Sequence, residues 1–356
     1  MVIKLKYRNI NFSSVFTMFL ISYSFYAIFL LGQLNLNLNG KSIIWVMVIL
    51  TFIVPFYLLL TTKIGEKIRL LTIDYINEKH NKLFFILRIL FTLYLIISGI
   101  FICFYTIHFE SMYFYNEYNI YIIAIILSIP LVIFSKKIIK STFHLHPLTL
   151  IIYLIFFYLL FRTNQELKYY TLSFEKFEQS NLIQTIILLI PLFMEPILFF
   201  YLFDLSKEKI VKRKMILSIL LISTTSAYCF LQIGNQFGVL LDYIDFPFYQ
   251  LWKNIYLNEY IENFDCINII IIIFNCVARL LLSVSIICKI NNTNSPLIVI
   301  IYAAITLTIA CILINNQMLF EEIKLPLLSI NSVLLLILFC ITIYFMFKIG
   351  GIKINE

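Results

Sequence analysis

Charge is what this 356-residue sequence has least of: Asp, Glu, Lys and Arg together make up 13% of it. Domains that fold in water carry about a quarter, so a water-facing surface over most of the chain is excluded. Glycine and proline number eight each, too few for a collagen-like repeat or a disordered Pro/Gly-rich chain, and seven scattered cysteines without a C-x-x-C pair do not make a disulfide scaffold. Also missing are a G-x-S-x-G turn, a glycine-rich phosphate loop and an intramembrane pairing of His with a carboxylate. No catalytic constellation and no cofactor-binding pattern emerge, so an enzyme is not expected. What fills the chain is apolar: 62% hydrophobic residues, 17% aromatic, and a mean hydropathy of +0.95. A single core of this size cannot hide that much apolar surface from water. The solvent must be lipid.

A spanning helix takes about 20 mostly apolar residues. Ten stretches fit that ruler, at 11–32, 42–61, 83–106, 118–135, 143–161, 182–203, 215–232, 267–288, 296–314 and 326–347, within one integral membrane domain over 1–356. Strands are excluded because a spanning barrel reads as short alternating segments, whereas these runs are continuous. Lys4, Lys6 and Arg8 precede the first run as in a signal peptide, but that run is long and no small-residue cleavage site follows, so an uncleaved first helix is expected.

Basic residues set the orientation. With the N-terminus inside, 19 of the 27 Lys and Arg fall on inner segments and six on outer ones, leaving Arg88 and Arg279 within spans. That asymmetry predicts cytoplasmic termini and makes the net charge of +8 topological, with no nucleic-acid partner implied. Connector lengths recur as well: the links after spans 1 and 6 are short, and those after spans 2 and 7 are long. Five spans per half invert the second half relative to the first, which is the pattern of the 5+5 inverted repeat of LeuT-like transporters. Spans 1 and 6 are then the helices in which to look for breaks.

Span 6 contains Ile190-Pro191-Leu192-Phe193-Met194-Glu195-Pro196. Pro196 removes a backbone donor and pushes Glu195 out of α geometry, which predicts a broken helix near mid-membrane. The break reads either as a plain kink, with Glu195 protonated or bonded to a neighbour, or as a ligand site where a carboxylate and free carbonyls face a cavity. In span 8, Asn275, Arg279 and Ser283 recur every four residues and share a helix face. Counted from the outer ends of their spans, Glu195 and Arg279 both lie about 18–20 Å deep. Matched depth allows an ion pair or a shared ligand, with two independently satisfied charges as the alternative. Arg88, near the inner end of span 3, is expected to reach the interface as an anchor. Span 1 has Ser22 and Ser24 among several hydroxyls but no Gly or Pro in mid-span, so no break is predicted there; its serines can line a site or act as packing contacts. His144 and His146 form an H-x-H at the inner edge of span 5 and lack a third metal ligand.

In the outer connector, Asp245-Phe246-Pro247 gives a cap and a first-turn proline, and Phe248, Leu251, Trp252, Ile255 and Tyr256 recur at helical spacing. An amphipathic helix across the outer mouth is expected.

The stretch from Asp245 to Asp265 and the stretch Phe193-Met-Glu-Pro-Ile-Leu-Phe-Phe-Tyr-Leu-Phe-Asp204, with the basic run Lys207 to Lys214, resemble the spore germinant receptor B subunits. These are germination permeases of the amino acid–polyamine–organocation superfamily. The resemblance implies that superfamily's fold, the spore inner membrane, and a role in sensing small nutrients, commonly amino acids. It also implies an A subunit and a lipoprotein C subunit as partners. The ligand would lie between spans 1, 3, 6 and 8, near Glu195. Two features differ from the family pattern: Pro196 stands in place of a glycine, and span 1 lacks the small residues and proline of an unwound point. The other reading is a secondary transporter of amino acids or cations that uses Glu195 as its coupling carboxylate.

Overall fold

Lipid offers the backbone no hydrogen bonds, so a long apolar run with few breakers satisfies its own N–H and C=O groups by forming a helix. The computed structural model of this chain describes residues 10–30, 34, 43–53, 81–113, 120–162, 182–205, 212–237, 241, 244, 246–247, 250–251, 256–258, 261–262, 265–291, 293 and 295–350. Helices α1 (Phe12–Tyr23), α2 (Ile44–Ile53), α3 (Asn81–Tyr113) and α4 (Ile120–Phe134) come first. After a 3-10 turn at Ser135–Lys137 follow α5 (Ile138–His144), α6 (His146–Arg162), α7 (Leu182–Met194), α8 (Lys212–Phe237), α9 (Asp265–Ile290), α10 (Pro296–Asn315) and α11 (Gln317–Gly350).

Among the described residues, seven apolar helical stretches are long enough to cross a membrane: Lys82–Ser111, Ile120–His144, Leu182–Phe199, Ile216–Phe237, Ile269–Ile290, Pro296–Asn315 and Gln317–Phe345. Three shorter apolar helices, Phe12–Tyr26, Ile44–Ile53 and His146–Ile155, fall on the first, second and fifth runs read from the sequence. The chain is a predominantly helical membrane protein. Local signals explain several boundaries. Pro296 opens α10 behind an extended Ser295, and Asn316 leaves helical geometry at its end. Lys136 and Lys137 interrupt the apolar run between α4 and α5, where both are exposed.

The outer connector departs from expectation. Pro247 and Gln250–Leu251 are helical, but Tyr256–Asn258 pairs antiparallel with Ile261–Glu262, with Tyr256 opposite Glu262. A helix continuing through Tyr256 to Glu262 is therefore corrected to a small hairpin. Aromatic and β-branched residues such as Tyr256 and Ile261 favour a local ladder there. Phe248 and Trp252 lie outside the described residues.

Among the seven membrane-length stretches α9 is the most enclosed, with 72% of its most apolar residues buried against 39% for the stretch Ile120–His144. It packs on α1, α3, α4, α5 and α6, which places its side chains at the centre of the bundle. By contrast α4 turns Ile122, Ile125, Ile126, Ile129 and Ile133 outward, and lipid is the solvent for that face. Helices α3 and α10 approach closely at Gly99, where a Cβ would overlap the Tyr302 hydroxyl. That hydroxyl donates to the Leu95 carbonyl at 3.0 Å.

Candidate functional site

Two prolines shape α7. Pro191 and Pro196 have no N–H, so the carbonyls four residues earlier, Ile187 and Leu192, lose their helical donors. Both carbonyls are satisfied from other helices. Ser332 Oγ of α11 donates to Ile187 O at 2.6 Å, and the Tyr23 hydroxyl of α1 donates to Leu192 O. The α-helix ends at Met194, and the chain runs on as a 3-10 helix from Glu195 to Leu205. The expected break at Pro196 thus takes the form of a change of helix type, with no unwound gap.

Helix α1 changes type as well. It is α-helical to Tyr23 and a π-helix over Ser24–Leu30. Ser24 Oγ donates to Leu20 O at 2.7 Å, so a side chain enters the backbone ladder at the junction. Mid-helix π and 3-10 stretches frequently mark functional hinges. The two junctions face one another through the Tyr23–Leu192 contact.

Between them lies an ion pair. Arg279 Nη1 of α9 meets Glu195 Oε1, and the two side chains are 2% and 0% exposed. With both charges removed from solvent, neither is tolerable without the other. The guanidinium carbon of Arg279 stands 4.4 Å from the centre of the Tyr26 ring, whose negative face stabilises the cation. Asn331 Nδ2 of α11 donates to the Tyr26 hydroxyl at 3.2 Å. Tyr94 of α3 interacts with both Glu195 and Arg279. The site therefore draws on α1, α3, α9, α11 and the 3-10 segment that follows α7.

Of the residues singled out from sequence, the structure brings together Glu195, Pro196 and Arg279. Asn275 is bonded instead to its own helix, Nδ2 to Ile271 O at 2.8 Å. Ser283 interacts with Tyr302 of α10. Ser24 is committed to Leu20 O, while the buried Ser22 hydroxyl has no hydrogen-bond partner among the described residues. His146 contacts the Phe143 carbonyl at 3.1 Å and Ser14 Oγ at 3.5 Å. Arg88 is partly buried with its guanidinium over the Phe84 ring, 4.4 Å from the centroid. Sequence reasoning missed Tyr23, Tyr26, Tyr94 and Asn331.

No family model, curated protein or solved structure matches the chain.

Proposed function

We propose that this chain is a sensor with a transporter-like fold, the membrane-embedded B subunit of a nutrient germinant receptor, and that it binds a small zwitterion such as an amino acid at mid-membrane. The observation that carries the reading is the buried Glu195–Arg279 pair, set where one helix turns from α to 3-10 beside another that turns from α to π. A carboxylate and a guanidinium in contact present the two charges that an amino acid's ammonium and carboxylate would meet. A ligand entering between them exchanges one satisfied pair for two, without stranding a charge. Helix-type junctions supply the element with two arrangements that such a ligand would bias.

The finer architecture belongs to the same proposal. Ten spans in a 5+5 inverted repeat with cytoplasmic termini accord with the ten apolar runs, the distribution of Lys and Arg, and the paired departures from α geometry in α1 and α7. The partners would be an A subunit and a C-subunit lipoprotein, and the site of action the spore inner membrane. The test is deletion of the gene followed by germination against a panel of amino acids. Loss of response to one or a few of them is expected; normal germination under every condition would sink the reading.

A second reading is supported by the complete burial of Glu195: a secondary transporter in which Glu195 couples an ion to amino-acid movement. Proteoliposomes containing only this chain separate the two. Accumulation of labelled amino acid favours transport, and binding without accumulation favours the sensor.

A further inference from the structure

Helices α4 and α10 do not close on each other along their lipid side. Between them runs a cavity of about 580 Å³. Its floor includes the buried Ala124, Ala303 and Leu307, and its lips include the exposed Ile125, Val132 and Ile300. The one hydroxyl that α4 places along its middle, Ser128, donates to Ile125 O of its own helix at 2.7 Å. The walls thus favour an apolar occupant.

The two ends of the groove differ. At the outer end Asn315 Nδ2 of α10 donates to the Tyr121 hydroxyl of α4 at 3.1 Å, tying the helices together. At the other end the 3-10 turn Ser135–Lys137 packs on α10, and Lys136 and Lys137 are exposed, with no ion-pair partner among the described residues. Lys136 follows the lining residue Val132 by four positions, just past the end of α4 at Phe134. From Tyr121 to Val132 the wall is about 17 Å long at 1.5 Å per residue. A groove of that length, tied at its outer end by the Asn315–Tyr121 bond and followed by exposed lysines past the other, is shorter than the roughly 30 Å that a partner's spanning helix would need to cover.

We propose that this groove holds one acyl chain of an anionic phospholipid from the leaflet that the basic residues mark as cytoplasmic, with the headgroup phosphate at Lys136 and Lys137. The apolar walls take the chain by area and the lysines select the headgroup by charge, as in basic pockets between membrane helices elsewhere.

The test is native mass spectrometry of the full chain in detergent, titrated separately with phosphatidylglycerol and phosphatidylcholine of identical chains. The unaltered protein should retain one phosphatidylglycerol at concentrations about tenfold or more below those needed for phosphatidylcholine. The double substitution Lys136→Gln and Lys137→Gln should remove the preference while leaving weak, equal retention of both lipids. Ala304→Phe, at an exposed lining position where the added ring need not disturb the core, should abolish retention of both. Thermal unfolding of each variant in the same detergent checks that it is folded. Equal retention of the two lipids by the unaltered protein overturns the proposal, as does a preference that survives the lysine substitutions. Undiminished lipid retention in Ala304→Phe, with loss of a co-purifying membrane subunit, would assign the groove to a partner helix instead.

Discussion

The Tyr23 hydroxyl donates to the carbonyl of Leu192, the acceptor that Pro196 leaves without a helical donor. One helix thereby completes the backbone of another at the level of a buried ion pair. Tyr23→Phe should cost about 1 kcal/mol, in the range measured for interhelical hydrogen bonds in membranes. Pro196→Ala restores an N–H four residues after Leu192, so Tyr23→Phe should cost less in that background. A double-mutant cycle by denaturation in mixed micelles measures the difference. Equal costs in both backgrounds would separate the hydroxyl from the proline.

The same logic applies one turn earlier. Ser332 Oγ donates to Ile187 O, the carbonyl orphaned by Pro191. Ser332→Ala should destabilise by a similar roughly 1 kcal/mol, and Pro191→Ala should suppress that loss. Thermal unfolding of the two single variants and the double variant in detergent checks it. If Pro191→Ala leaves the cost of Ser332→Ala unchanged, the carbonyl has another donor.

Arg279 and Glu195 differ from these neutral contacts because removing one partner leaves a buried charge. Glu195→Gln or Arg279→Met alone should destabilise by about 3–5 kcal/mol, while the double substitution should lose less than either single one. Exchanging the two residues should restore only part of the stability, since the swap would place the carboxylate over the face of Tyr26, where the cation now sits. Denaturation midpoints report the energetics. Titration of the folded double variant with the amino acid that triggers the response then tests function: retained affinity would show that the pair serves the fold alone.

The ion pair was legible in sequence because depth in a membrane follows from residue count. Glu195 and Arg279 sit at matched distances from the N-terminal ends of their apolar runs, and an intramembrane charge needs a partner. Pro196 likewise announced the end of α geometry, because its chemistry acts locally. The π-helix at Ser24 left no such trace, since no Gly or Pro marks it. Tyr23, Tyr26 and Tyr94 were hidden among 23 tyrosines, a residue equally at home at interfaces, in packing and in sites. Asn275 and Ser283 share the Arg279 stripe, but a stripe on a central helix meets more than one neighbour. Asn275 is satisfied by its own turn and Ser283 meets Tyr302. In the connector before α9, periodicity suggested a helix through Tyr256, where Tyr256–Asn258 instead pairs antiparallel with Ile261–Glu262.

Gly99 tests how tightly α3 and α10 are matched. A Cβ there would overlap the Tyr302 hydroxyl and also approach Thr306 Cγ2 at 3.0 Å and Tyr302 Cζ at 3.1 Å. Since Tyr302 is held by its bond to Leu95 O and buried, it has little room to yield. Gly99→Ala should therefore destabilise by about 1–3 kcal/mol through overpacking. Tyr302→Phe alone loses a hydrogen bond, yet in the Gly99→Ala background it removes the atom that collides first. The double variant should consequently be more stable than the sum of the single losses implies, with the residual cost arising from the Thr306 and ring contacts. Thermal unfolding of the four proteins in one detergent measures this coupling, and strict additivity would mean that the two helices separate to admit the methyl group.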